Sequence, residues 1–168
     1  GWDVGHRPAL NGIETQRSAF QSTNWRATPL IAGKKSPQGI AEPRDNPANP
    51  EDRPGTATSA SLDLAHAALA QAQPWSAPVA ERARILNTAA DLYESNAPEL
   101  FALLAREAGK TLLDAIGELR EAVDFLRYYA AQSAFHDARA PRGVFACISP
   151  WNFPLAIFSG QIAAALSV

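Results

Sequence analysis

With 168 residues and 46% hydrophobic composition, the chain has material for one domain with a modest core and not for two. A formal net charge of −2, with Lys and Arg scattered along the chain, excludes the basic footprint of a nucleic-acid binder. The single cysteine, Cys147, excludes an internal disulfide and any paired-cysteine metal motif, so the expected compartment is a reducing one, the cytosol by default.

The first residues, Gly1-Trp2-Asp3-Val4-Gly5-His6-Arg7-Pro8, have neither the basic start nor the apolar core of a secretory signal. There is no methionine. The last residues, Leu166-Ser167-Val168, fall inside an apolar helical pattern without a stop signal, so both ends are expected to be cuts.

Residues 1–57 are rich in Pro, Gly, Asn and charge, with Asn46-Pro47, Asn49-Pro50 and Pro54-Gly55 as turn signals, and read as an arm of loops and short pieces. Residues 58–140 read as four helices. The first covers about 61–73, with Leu62, Ala65, Leu69 and Ala72 on one face and Pro74 as its stop. The second starts near Pro78 and carries Ala83, Leu86, Ala90 and Tyr93 up to Asn96. Pro98 opens a short third helix and Gly109 closes it, proline inside the start and glycine past the end.

The fourth helix runs from Thr111, a good cap with Asp114 three residues on, to about Gln132. Leu112, Ala115, Ile116, Leu119, Val123, Leu126 and Ala130 make its apolar stripe. Glu121 points away from that stripe, flanked on the outer face by Phe125 and Tyr128, so this side is expected to meet a ligand or another part of a larger protein.

A polar connector with His136, Asp137 and Arg139 leads to Pro141-Arg142-Gly143, where a third region, 141–168, begins. The apolar run Val144-Phe145-Ala146-Cys147-Ile148 suits a strand covered on both faces. The turn Ser149-Pro150-Trp151-Asn152-Phe153-Pro154 follows, stiffened by two prolines, and a buried helix starts at about Leu155. This apolar helix is too short, and too interrupted by Ser159, Gly160 and Gln161, to cross a bilayer. In α/β folds such a turn, at the carboxyl end of a strand, is a common place for ligands.

Taken singly, the candidate residues are plain. Asn152 reads as a helix cap, Glu121 as a surface acid, and Ile148, Pro150, Trp151 and Phe153 as strand end and packing. Cys147, inside an apolar run with no cationic neighbour in sequence, reads as a small hydrophobe and not as a nucleophile. His6, His66 and His136 have no partner at ligand spacing, so no metal is expected. Gly109-Lys110-Thr111 lacks the earlier glycine of a phosphate loop.

Taken together they carry a resemblance. Ile148-Ser149-Pro150-Trp151-Asn152-Phe153-Pro154 resembles the Pro-Trp-Asn segment of the aldehyde dehydrogenase superfamily. Arg106-Glu107-Ala108-Gly109-Lys110-Thr111 resembles that family's helix-turn signature, and Pro74-Trp75 with Glu81-Arg82-Ala83 resembles the preceding helical pair. The segment Glu118-Leu119-Arg120-Glu121-Ala122-Val123-Asp124-Phe125-Leu126-Arg127-Tyr128-Tyr129 narrows the likeness to the L-glutamate γ-semialdehyde dehydrogenase domain of bifunctional proline utilization A, and Trp25-Arg26-Ala27-Thr28-Pro29-Leu30-Ile31 resembles a stretch upstream of it.

The resemblance implies an α/β, aldehyde dehydrogenase-like fold, of which this chain would be the mostly helical front part. Region 58–140 would be the helical portion and 141–168 the first strand and helix of a Rossmann-like NAD-binding core. It also implies NAD as cofactor, with FAD confined to a proline dehydrogenase domain outside this chain. Asn152 would donate to the oxygen that becomes negative when a cysteine attacks the aldehyde; Ile148, Pro150 and Trp151 would line the cofactor cleft; Phe153 and Glu121 would face the substrate's carbons and amino group. The catalytic cysteine, the water-activating glutamate and a ribose-binding lysine would lie beyond Val168, leaving the chain inactive alone. The parent is expected to be a homo-oligomer, with an aldehyde and the rest of its own polypeptide as partners. Two alternatives stay open: a noncatalytic helical binding or oligomerisation module, and a dehydrogenase of another small semialdehyde.

Overall fold

The computed structural model describes residues 2–36, 38–136 and 142–168. Asp137, Arg139 and Pro141 of the expected connector lie outside them. The elements in chain order are α1 (Arg7–Ser18), β1 (Trp25–Ala27), β2 (Leu30–Ile31), β3 (Lys34–Lys35), β4 (Ile40–Arg44), β5 (Gly55–Ser59), α2 (Leu62–Gln71), α3 (Val79–Ser95), α4 (Ala97–Ala108), α5 (Leu112–Gln132), a 3₁₀ turn (Ser133–His136) and α6 (Ala156–Ser167).

The centre of the molecule is α5, which packs against α3, α4 and α6. Its expected stripe is the core: Ala115, Ile116, Leu119, Val123, Leu126 and Ala130 are buried, facing Leu86 and Ala90 of α3 and Phe101 and Leu104 of α4. Local chemistry sets its start, since the Thr111 hydroxyl accepts from the Asp114 N–H at 3.2 Å and donates to the Asp114 carboxylate at 2.7 Å. Just before it, α4 ends on Gly109, whose φ of 66° is the left-handed cap that closes a helix; its N–H bonds back to the Leu104 carbonyl.

The arm holds more regular structure than loops and short pieces. Pro8 lies in the first turn of α1, which docks Ile13 on α4, while Trp2 meets Phe101 edge-on at 5.5 Å. Farther along, β5 is the middle strand of a three-stranded sheet, parallel to β1 and antiparallel to β4; β2 and β3 form a separate hairpin. Arg106 of α4 ties this sheet region to the helices. It grips Asp52 with two nitrogens, at 2.9 and 2.7 Å, and donates to the carbonyls of Phe20 and Thr23.

Two expectations need correction. Residues 144–148 do not form a strand: no ladder partner lies beside them among the described residues, and Val144, Phe145 and Ile148 are exposed. A parallel strand is stable only between neighbours that complete its hydrogen bonds and cover both faces, so apolar composition alone does not make one here. The apolar face of α2 is likewise uncovered, with Leu62 and Leu69 exposed and no buried residue in the helix. Phe125, on the face of α5 expected to meet a ligand or another part of the protein, is half-buried, because its ring lies against Gly160 of α6.

Candidate functional site

The segment from Ile148 to Ala156 is irregular, yet it is held at several points. The Phe153 N–H donates to the Pro150 carbonyl at 3.2 Å, closing a β-turn with Trp151 and Asn152 at its two central positions. Upstream, the side-chain amide of Gln161 on α6 donates to the Ile148 carbonyl at 3.1 Å, folding the approach to the turn back onto the helix that follows it. Downstream, α6 starts without a cap of its own: Leu155 stands at the capping position and offers no side-chain acceptor.

The missing acceptor comes from α5. One carboxylate oxygen of Glu118, Oε2, accepts the N–H groups of Leu155 and Ala156 at 3.3 and 2.8 Å. These are the amides that the first turn of a helix leaves without partners, and a negative charge there is also favoured by the helix dipole. The other oxygen, Oε1, lies 3.0 Å from Lys110 Nζ. Glu118 is 3% exposed, so a charged group is buried where the ammonium and two N–H groups replace water. The same Lys110 Nζ sits 4.7 Å from the centre of the Phe153 ring. One ammonium thus joins the end of α4, the middle of α5 and the turn.

Asn152 does not cap α6. It is exposed at the tip of the turn, and its side-chain amide makes no hydrogen bond among the described residues. Ile148 and Trp151 beside it are 83% and 85% exposed, and Pro150 is exposed as well. Trp151 overhangs a cleft that Pro154 and Leu155 share with Pro47, Leu104 and Glu107. Glu121 is exposed and lines a different, shallow depression with Gly117, Arg120, Phe125 and Tyr128. The structure therefore gathers Ile148, Pro150, Trp151, Asn152 and Phe153 on one turn. Glu121 stands one helical turn from Glu118, outside that cluster. Cys147 is half-buried beside Ile162 and Leu166 of α6.

Lys110 and Glu118 did not emerge as site residues from the sequence. The signal was the ring of residues around Glu118: Ala115, Ala122, Phe125 and Tyr129 lie three, four, seven and eleven positions away. They make a second apolar face on α5 with a carboxylate inside it.

Residues 46–168 match the aldehyde dehydrogenase family. Over 170 residues the chain is 46% identical to the bifunctional protein PutA of Escherichia coli strain K12, covering 96% of this chain and 13% of that protein. Over 141 residues it is 38% identical to the 1-pyrroline-5-carboxylate dehydrogenase of Bacillus mycoides, covering 72% of this chain and 27% of the relative. Among solved structures, a 1-pyrroline-5-carboxylate dehydrogenase from Thermus with bound NAD superposes with a TM-score of 0.82 at 26% identity, over 96% of this chain and 36% of that one. The chain thus spans a small part of the length of its relatives. A family match over most of the sequence establishes that the chain belongs to the aldehyde dehydrogenase family.

Proposed function

We propose that this chain is the leading part of an NAD-dependent dehydrogenase unit that oxidises L-glutamate γ-semialdehyde to glutamate in proline catabolism, with Asn152 as a hydrogen-bond donor to the reacting oxygen. One observation carries the reading: the Asn152 amide has no partner among the described residues, at the tip of a turn whose flanks are held by Gln161, Glu118 and Lys110. A donor carried on an anchored turn, with no acceptor among the described residues, suits charge that appears only in the transition state.

In the reaction, a cysteine thiolate from beyond Val168 forms a bond to the aldehyde carbon, and the carbonyl electron pair moves onto oxygen. The Asn152 N–H groups would meet that oxygen as its charge grows. Bound NAD supplies the acceptor for the hydride that then leaves the same carbon. The exposed apolar surfaces of Ile148, Pro150 and Trp151 would offer a nicotinamide an apolar wall beside the turn. Phe153 would pack on the substrate's aliphatic carbons, and the exposed carboxylate of Glu121 would face its amino group. On this reading a downstream glutamate activates the water that releases glutamate. FAD serves a separate proline dehydrogenase unit, the assembled protein is a cytosolic homo-oligomer, and the 168-residue chain alone turns over nothing.

The test is Asn152→Ala in the longer enzyme. Loss of one such donor is expected to lower kcat on the order of a hundredfold or more while NAD affinity stays put. An unchanged kcat would remove the assigned role, and NADH production by the 168-residue chain alone would contradict a downstream nucleophile.

A further inference from the structure

We propose that Glu118, together with Lys110, is a positioning residue for Asn152: a carboxylate on α5 that sets where the turn before α6 stands. The inference rests on the reading of Asn152 as the oxyanion donor. Its basis is a division of labour in the geometry. The first amides of α6 need an acceptor, and Asn152, three positions before Leu155, is a residue type suited to the task. Glu118 takes the task instead, through Oε2, so the Asn152 side chain need not turn its Oδ1 back onto the helix start, and its N–H groups are left to face outward.

The two members of the pair act on different sides of the same few residues. Glu118 fixes the backbone of Leu155 and Ala156, and Lys110 fixes the ring of Phe153, next to Asn152 in sequence. Neither is placed by chance. Gly109 ends α4 in a left-handed residue directly before Lys110, and the Thr111 cap starts α5 directly after it. The ammonium is thereby aimed at the carboxylate two turns along α5, 3.0 Å from Oε1 of a side chain that is 3% exposed. Since a catalytic group displaced by about 1 Å can cost about a hundredfold in rate, a loosened helix start would be felt at the donor without any contact to substrate.

A double-mutant cycle in the full-length enzyme tests this. Glu118→Ala alone should lower kcat by roughly 30-fold or more, with KM for NAD within about twofold. Added to Asn152→Ala, it should lower kcat by less than about twofold further, because a donor already removed cannot be misplaced. Glu118→Asp should recover part of the single-mutant loss. Should Glu118→Ala fold poorly, Glu118→Gln and Lys110→Met, which keep the side-chain volume and drop one charge, should each lower kcat about tenfold with the same lack of further effect on the Asn152→Ala background. Losses that multiply would overturn the inference and leave the role of Asn152 standing, as would a full kcat in Glu118→Gln and Lys110→Met. A full kcat in Asn152→Ala would overturn both.

Discussion

Arg106 and Asp52 show how much one contact can decide. The two side chains are 12% and 24% exposed, and the guanidinium also lies 5.1 Å from the Trp25 ring, so it is at once an ion-pair partner, a donor to two carbonyls and a lid on an aromatic. The hydrogen bond from Arg106, helped by one from Asn46, holds the Asp52 carboxyl down at about 2 against an ordinary 3.8. A carboxylate whose folded value is depressed contributes stability that is complete above the unfolded value and disappears as pH falls through the folded one. The docking of the arm should therefore weaken between about pH 4 and pH 2, seen as faster amide exchange in β1 and β5. Arg106→Met should destabilise by about 2 kcal/mol in urea unfolding at neutral pH and remove that acid-dependent step; a step that persists in the variant would assign it to another group. Partners 54 positions apart leave no periodic trace in a sequence, so this contact was invisible there. Asn152 was visible only through the motif around it. Glu118 was legible only as a charge beside small and aromatic neighbours, with nothing to say that the start of α6 would arrive to meet it.

At the level of elements, the helices were the legible part because their ends are chemically marked. Proline in the first turn and Gly109 past the end bound α4, Thr111 opens α5, and an apolar stripe then runs along α5. The helix α1 carries only one such mark, Pro8, and is polar with one buried residue and no closing glycine, and β5 is a run of small residues stabilised by two neighbouring strands. The docking of α6 on α5 depends on Gly160, where an added Cβ would stand 2.7 Å from Cδ2 of Phe125. Gly160→Ala should cost about 1–3 kcal/mol through overpacking. Gly117→Ala supplies the contrast, since nothing lies within 4 Å of its would-be Cβ on the exposed face of α5, and the better helix former should raise stability by about 0.5–1 kcal/mol. Urea midpoints that move the same way in both variants would sink this account of the interface.

For the molecule as a whole, the longest run of uncovered apolar surface along the chain lies just before α6. Val144, Phe145, Ile148 and Trp151 stand exposed beside a helix, α6, that is itself apolar, whereas the core around α5 is closed. The relatives are several times longer than this chain. Amides 144–148 should thus exchange freely in the 168-residue chain and become strongly protected in the longer enzyme, where a parallel neighbour can complete the strand. Free exchange in both forms would refute the strand. The start of α6, fastened from α5 and not by its own sequence, has a consequence for protein engineering. The Pro-Trp-Asn loop is not a portable cassette: transplanted into another scaffold without a lysine and an acid in register on a neighbouring helix, it would arrive with the right letters and the wrong posture.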